Sequence, residues 1–297
     1  YRAELAEART LLSIRYTGSL KASSEFSSGH LSDSGVFLHR GMGWFPDVPG
    51  SLLILSMEVS VPPGWEVISQ GVPNRSVGDG PRTIQWREMH PQDDLYLVGG
   101  PLERFYEDGE VASAQVYLHS SADHALAAKY LEATRRYLAL YARLLGPYPY
   151  EKFALVENFW ETGYGMPSFT LLGPAVIRLP FIVHTSYPHE IVHNWWGNSV
   201  YVDYQSGNWS EGLTAYLSDH LLREIGGDGA GYRRDALQKY RNYVDAAEDF
   251  ALVDFVSRHG KVSEAVGYNK ALMLFHMLRQ RLGDDLFVTG LRALYRK

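Results

Sequence analysis

Two histidines separated by three residues, with a glutamate beside the first, give this chain its most specific chemistry: His189-Glu190-Ile191-Val192-His193. On a helix, side chains four apart share a face, so both imidazoles can reach one ion while Glu190 faces whatever that ion holds. Imidazole nitrogen suits Zn2+. A catalytic zinc takes three protein ligands, keeps one position for water and lowers that water's pKa to about 7. Pro188 fits an early position of the helix that must carry the pair. The bland alternative is a chance pentapeptide on an amphipathic helix, which 11 histidines in 297 residues would seldom produce. The other nine (His30, His39, His90, His119, His124, His184, His220, His259 and His276) show no paired spacing. They are expected at the surface or behind the ligands, with His184 and His220 nearest the metal.

A third ligand is needed. In Trp209-Ser210-Glu211-Gly212-Leu213-Thr214-Ala215-Tyr216, Ser210 can cap a helix and place Glu211 in its first turn. A carboxylate there also complements the helix dipole, worth about 0.3–1 kcal/mol, with no metal involved. Asp219, His220 and Glu224 lie on the same expected helix as rival ligands. On these residues alone the choice stays open.

The run from His189 to Tyr216 resembles the aminopeptidase N family of gluzincin metallopeptidases. The likeness lies in His193-Asn194-Trp195-Trp196-Gly197-Asn198 and then Ser210-Glu211-Gly212. The interval from Asn194 to Ser210 is one residue shorter than the family's usual spacing, within a loop-like stretch from Asp203 to Gly207. The resemblance implies Glu211 as third ligand, Glu190 as general base and one Zn2+ per chain. It also implies that Tyr268, in Tyr268-Asn269-Lys270-Ala271, stabilises the oxyanion, with Ala271 where the family usually has Gly. Trp44-Phe45-Pro46 and the strand running into Pro62-Pro63-Gly64-Trp65 resemble the family's N-terminal domain.

Family members bind the substrate's free amine through the Glu of a Gly-x-Met-Glu-Asn strand, and that signature is absent here. One alignment offers Glu157-Asn158. Another matches Gly165-Met166-Pro167-Ser168 and leaves Glu161 as the nearest substitute. Glu161, Glu157 and Gly165 are therefore the expected substrate-binding residues, the last because a glycine turn lets backbone approach a peptide.

The positioning elements change character near residue 120. Before it, short runs such as Leu11 to Tyr16, Leu52 to Val61, Trp65 to Ser69, Thr83 to Trp86, Leu95 to Val98 and Ala114 to His119 have strand character, broken by Pro62-Pro63-Gly64 and Gly78-Asp79-Gly80. After it, Leu126, Tyr130, Ala133, Tyr137, Tyr141 and Leu144 form one helical stripe, startable by Ser120 or Ser121 and ended by Gly146-Pro147. Strand-like pieces around Gly163-Tyr164-Gly165 follow, then helices over roughly 186–198, 210–226, 230–248 and 269–282, and one from Asp284. The expected fold is α+β: a partial antiparallel β-rich N-terminal domain over 1–119 and a thermolysin-like, mainly helical zinc catalytic domain over 120–297.

Composition sets outer bounds. With 45% hydrophobic and 21% charged residues, wholesale disorder is excluded. A net charge of −6 with scattered Lys and Arg leaves no footprint for nucleic acid, and no apolar run is long enough for a membrane helix. The absence of cysteine removes disulfides and thiolate chemistry and leaves the compartment unread. A start at Tyr1-Arg2-Ala3 and an end at Lys297 within a helical pattern read as a piece of a longer protein. The expected activity is zinc-dependent hydrolysis of peptide substrates from their N-termini. The alternatives are an endopeptidase, a non-peptide hydrolase, or a silent binding domain, which would be expected to lose Glu190, a ligand or Tyr268.

Overall fold

The computed structural model describes residues 13–17, 29–75, 82–119, 123–161 and 163–296. Its first part is built from two antiparallel sheets. One has the order β1-β2-β7-β4, from β1 (His30–Ser32), β2 (Gly35–Leu38), β4 (Glu66–Ile68) and β7 (Leu97–Gly100). The other has the order β3-β6-β5, from β3 (Leu53–Val61), β5 (Val72–Arg75) and β6 (Arg82–Gln92). Both β3 and β6 alternate buried with exposed positions, as strands with one wet face do. The strand expected over Leu11 to Tyr16 begins outside the described residues, and 13–17 are not in a strand. The Gly78-Asp79-Gly80 break and the Ser120 or Ser121 cap also lie outside them.

A third sheet, ordered β11-β12-β10-β9-β8, supports the site. It contains β8 (Glu103–Glu107), β9 (Ser113–Leu118), β10 (Lys152–Glu157), β11 (Gly163–Met166) and β12 (Phe169–Leu172). The three central strands are parallel, and α1 (His124–Leu145) makes the crossover from β9 to β10. Tyr130, Ala133, Tyr137 and Tyr141 of the helical stripe are buried against this sheet's helical side. Period-two alternation divides the strands between two cores. Ala114, Val116, Phe153 and Leu155 face the helices, while Tyr117, Ala154 and Val156 face the β-rich part. A division at 119/120 would cut this sheet between β9 and β10, whereas one ahead of Glu103 keeps it whole. The change of period marks the first helix, and a strand pattern cannot say which sheet its owner joins.

The remainder is helical: α2 (Ser186–Val192), α3 (Ser210–Ala215), α4 (Leu221–Ile225), α5 (Gly229–Tyr243), α6 (Lys261–Glu264), α7 (Ala271–Leu282) and α8 (Asp284–Tyr295). Two π-helical segments, Tyr216–His220 and Ala265–Lys270, join α3 to α4 and α6 to α7. The α+β class is as expected. Two helices are shorter than the pattern implied, α2 closing at Val192 and α5 at Tyr243. None of the described helices is long and apolar enough to cross a membrane.

Candidate metal centre and active site

Helix α2 brings His189 and His193 to the same side, one turn apart. The His193 amide still donates to His189 O (3.2 Å), so helical geometry carries through to the second ring. The ring Nε2 atoms lie 3.1 Å apart, and each is 3.4 Å from Glu211 Oε2. Three donors bound to one tetrahedral zinc at about 2.0–2.2 Å would be roughly 3.2–3.6 Å apart. The triangle therefore fits a single zinc, and it is the one group of three metal-ligating side chains found together among the described residues.

What lies behind the rings fixes their orientation. His189 Nδ1 faces Asp219 Oδ2 at 3.0 Å, and His193 Nδ1 faces Trp196 O at 3.0 Å. Each Nδ1 proton has an acceptor, which leaves both Nε2 lone pairs aimed at the shared centre. Asp219, a rival ligand by sequence, is thus the partner of a ligand. Of the other two rivals, Glu224 pairs with Arg279 (2.6 Å). His220 is buried, stacks on Tyr216 and takes its nearest polar contact from Arg233 (2.7 Å). His184 is exposed, on a separate cavity whose wall includes Asp219.

Glu211 sits in the first turn of α3, but Ser210 does not cap that helix. Ser210 is its first residue, and Asn208 Oδ1 accepts from both the Ser210 amide (3.2 Å) and hydroxyl (2.7 Å). The adjoining Gly212 has a packing reason. A Cβ there would stand 2.3 Å from Ala271 Cβ, so only glycine lets α3 lie this close to the start of α7. That approach brings the π-helical segment bearing Tyr268 to the triad, where its ring stacks on His189 with centroids 6.2 Å apart.

Burial opposes charge on every titratable group here. It pulls His189 and His193 down, yet the carboxylates beside them (Asp219 and Glu211 for His189, Glu211 for His193) outweigh it and raise both. Burial pushes Glu211 up, yet the two imidazoles carry it well below the carboxylate range. For Glu190 burial wins, and its pKa is raised despite the neighbouring histidines. Tyr268 is driven above the phenol range, by burial first and then by the charge of Glu211, so its hydroxyl remains a donor at any working pH.

These groups line a cleft of about 740 Å3 whose other walls include Gly163, Tyr164 and Gly165 of β11, Asp93, Tyr204, Arg258 and Glu264. Among the described residues, strand β11 is the sheet edge, paired only with β12. At Gly165 a Cβ would lie 2.5 Å from Glu190 Oε2, so a side chain there would require the Glu190 carboxylate to shift. The two expected amine-binding glutamates are elsewhere. Glu157 is 2% exposed, pairs with Arg178 and accepts from the His119 amide (2.8 Å). Glu161 accepts from the amides of Ala175 (2.9 Å) and Val176 (3.3 Å). Neither carboxylate lines the cleft, because each already holds the loop after β12 in place. Asp93 and Glu264, which sequence reasoning did not single out, do line it. Neither belongs to a recognisable motif, so only the folded arrangement could find them.

Residues 182–297 match the Peptidase family M1 domain. The described structure superimposes on that of the M1 zinc metallopeptidase from Deinococcus radiodurans with a TM-score of 0.73 and 19% identity, covering 91% of this chain and 63% of that one. The fold is that of the M1 zinc metallopeptidases. Native yeast LTA4 hydrolase shares it with a TM-score of 0.69 and 17% identity, over 88% of this chain and 44% of the other. Among curated proteins, leucine aminopeptidase 2 of Ajellomyces capsulatus is 25% identical over 273 residues, which is 81% of this chain and 41% of that protein. The alanine/arginine aminopeptidase of Saccharomyces cerevisiae is 25% identical over 116 residues, 37% of this chain and 14% of its own length. The chain thus spans less than half the length of each of these two relatives.

Proposed function

We propose that this chain carries the catalytic centre of a zinc aminopeptidase, with His189, His193 and Glu211 as the ligands of one zinc. The observation that carries the reading is the donor triangle of 3.1, 3.4 and 3.4 Å with Glu190 and Tyr268 on the same cleft. When bound, zinc supplies Lewis acidity and an acidified water. Glu190, its proton affinity raised by burial, takes the proton from the attacking water and passes it to the departing amine. The Tyr268 hydroxyl donates to the oxygen that gains charge as the carbonyl becomes tetrahedral. The open edge of β11 can pair with an extended peptide backbone, and Gly165 lets that backbone lie against Glu190.

The substrate's ammonium needs a carboxylate, and with Glu157 and Glu161 engaged, Asp93 is the best placed acid. Glu264 already has Arg258 at 3.7 Å, while Asp93 faces the cleft from the β-rich part with its pKa raised by burial and by Asp94. Asp93→Asn should raise KM for free-amine substrates about tenfold or more while leaving zinc in place. The occupied state of Glu157 and Glu161 also favours a second reading, an endopeptidase with no amine anchor. Comparing aminoacyl amides with their N-acetylated forms separates the two. Preference for the free amine supports the aminopeptidase, and equal cleavage supports the endopeptidase.

A further inference from the structure

Beneath the cleft, one buried amide ties the sheet edge to the helix of the two histidines. Asn194 is fully buried. Its Oδ1 accepts from the Ser168 amide (2.8 Å) and the Tyr148 hydroxyl (3.2 Å). Its Nδ2 donates to Glu190 O (3.2 Å) and Ile191 O (3.1 Å). The helix tightens here, because the Asn194 amide reaches Ile191 O (3.1 Å), and it is the side chain that serves the Glu190 carbonyl. On the other side of the link, Ser168 turns β11 into β12 with φ 70, the only positive φ outside glycine among the described residues. A left-handed turn at a residue with a side chain is strained, so its surroundings must hold it. Besides Asn194, the buried Lys152 Nζ does so, at 2.7 Å from Ser168 Oγ and 3.3 Å from its carbonyl.

We propose that Asn194 is a positioning residue that sets the gap between the cleft-edge strand β11 and the Glu190 carboxylate. It acts through main chain at both ends: the Ser168 amide, two residues after β11 ends, and the carbonyl of Glu190 itself. Strand and carboxylate are close there: a Cβ at Gly165 would lie 2.5 Å from Glu190 Oε2, so a shift of either alters the position of the carboxylate relative to the strand. Misplacing a reacting group by about an ångström can cost on the order of a hundredfold in rate. The inference rests on the peptidase reading for its catalytic consequence, but the link itself does not depend on activity.

The test uses Asn194→Ala and Asn194→Asp in the zinc-loaded protein. The aspartate keeps both acceptor contacts and loses the two donations to the helix. Hydrogen exchange over residues 163–168 reports the link without any substrate. Exchange there should quicken in Asn194→Ala while β10 stays protected, and unchanged exchange would overturn the proposal. Both variants should keep zinc and lose roughly ten- to hundredfold in kcat, with KM altered far less. A merely structural asparagine would lower the melting temperature and leave kcat of the folded enzyme intact, which also overturns it. Gly165→Ala supplies a coupling test. Combined with Asn194→Ala, it should cost less than the product of the two separate losses, by roughly threefold or more, because the loosened strand can move away from Glu190. Strict additivity contradicts the proposal. A wild-type protein that binds zinc but cleaves no peptide would refute the peptidase reading, and the exchange result would still decide the link.

Discussion

A general base must be able to gain and lose a proton near the working pH, and burial moves Glu190 in that direction while the neighbouring imidazoles hold it back. Glu190→Gln keeps the shape and removes the base. It should retain zinc and lose about a hundredfold or more in kcat, measured by metal analysis beside peptide hydrolysis. Near-normal turnover would mean another group takes the proton. Asp219 invites a different test, since it touches His189 and not the triad's centre. Asp219→Asn weakens the acceptor that orients the ring and should lower zinc affinity roughly 10- to 100-fold, read by competition with a chelator. Unchanged affinity would reduce Asp219 to a surface acid. At this scale the His-x-x-x-His pair and Glu190 were legible because helical spacing alone brings them close, whereas Glu211, on a separate helix, was singled out from Asp219, His220 and Glu224 only by the family resemblance. The duties of Glu157 and Glu161 were not, because their partners Arg178, His119, Ala175 and Val176 reach them only through loop closure. Asp93 comes to the cleft by the packing of separate sheets, which no local pattern encodes.

Elements translate those residues into a site through a few close approaches. Gly212 against Ala271 brings α3 to α7, and the two π-helical segments that flank this contact carry Asp219 and Tyr268. Such π-helical insertions recur at functional sites. A 3.6-residue pattern cannot reveal them, which is why the expected helices 210–226 and 269–282 ran smoothly through or past them. The same scale holds a stability prediction. Lys152 opens β10, is 2% exposed, and has its pKa pulled to about 7 by burial against only partial help from Glu88. In the unfolded chain it keeps its usual value of 10.5, so between about pH 7 and 10.5 the unfolded state binds the extra proton. Stability from this group therefore rises with pH through that window, by up to roughly 1.4 kcal/mol per unit, and the burial cost is fully felt below it. Lys152→Met should flatten the rise, so that melting temperatures of mutant and wild type diverge from pH 7 towards 10 with the wild type gaining. Parallel profiles would show that Lys152 keeps its charge inside the fold.

For the whole molecule, the mixed five-stranded sheet is the keel. One face packs on the β-rich part and the other on the helices, and its open edge borders the cleft. The α+β class was readable from the change of hydrophobic period, whereas the sheet's membership was not, since β8 and β9 look locally like their antiparallel predecessors. The claim on which everything else rests is that His189, His193 and Glu211 together hold one zinc. It is tested most directly by zinc content after dialysis, for the wild type and for His189→Ala, His193→Ala and Glu211→Ala, each checked for folding by circular dichroism. The account predicts about one zinc per chain in the wild type and little in any of the three folded variants, with chelator abolishing peptide hydrolysis and added Zn2+ restoring it. Full zinc occupancy in folded Glu211→Ala, or activity that survives complete removal of the metal, would contradict it.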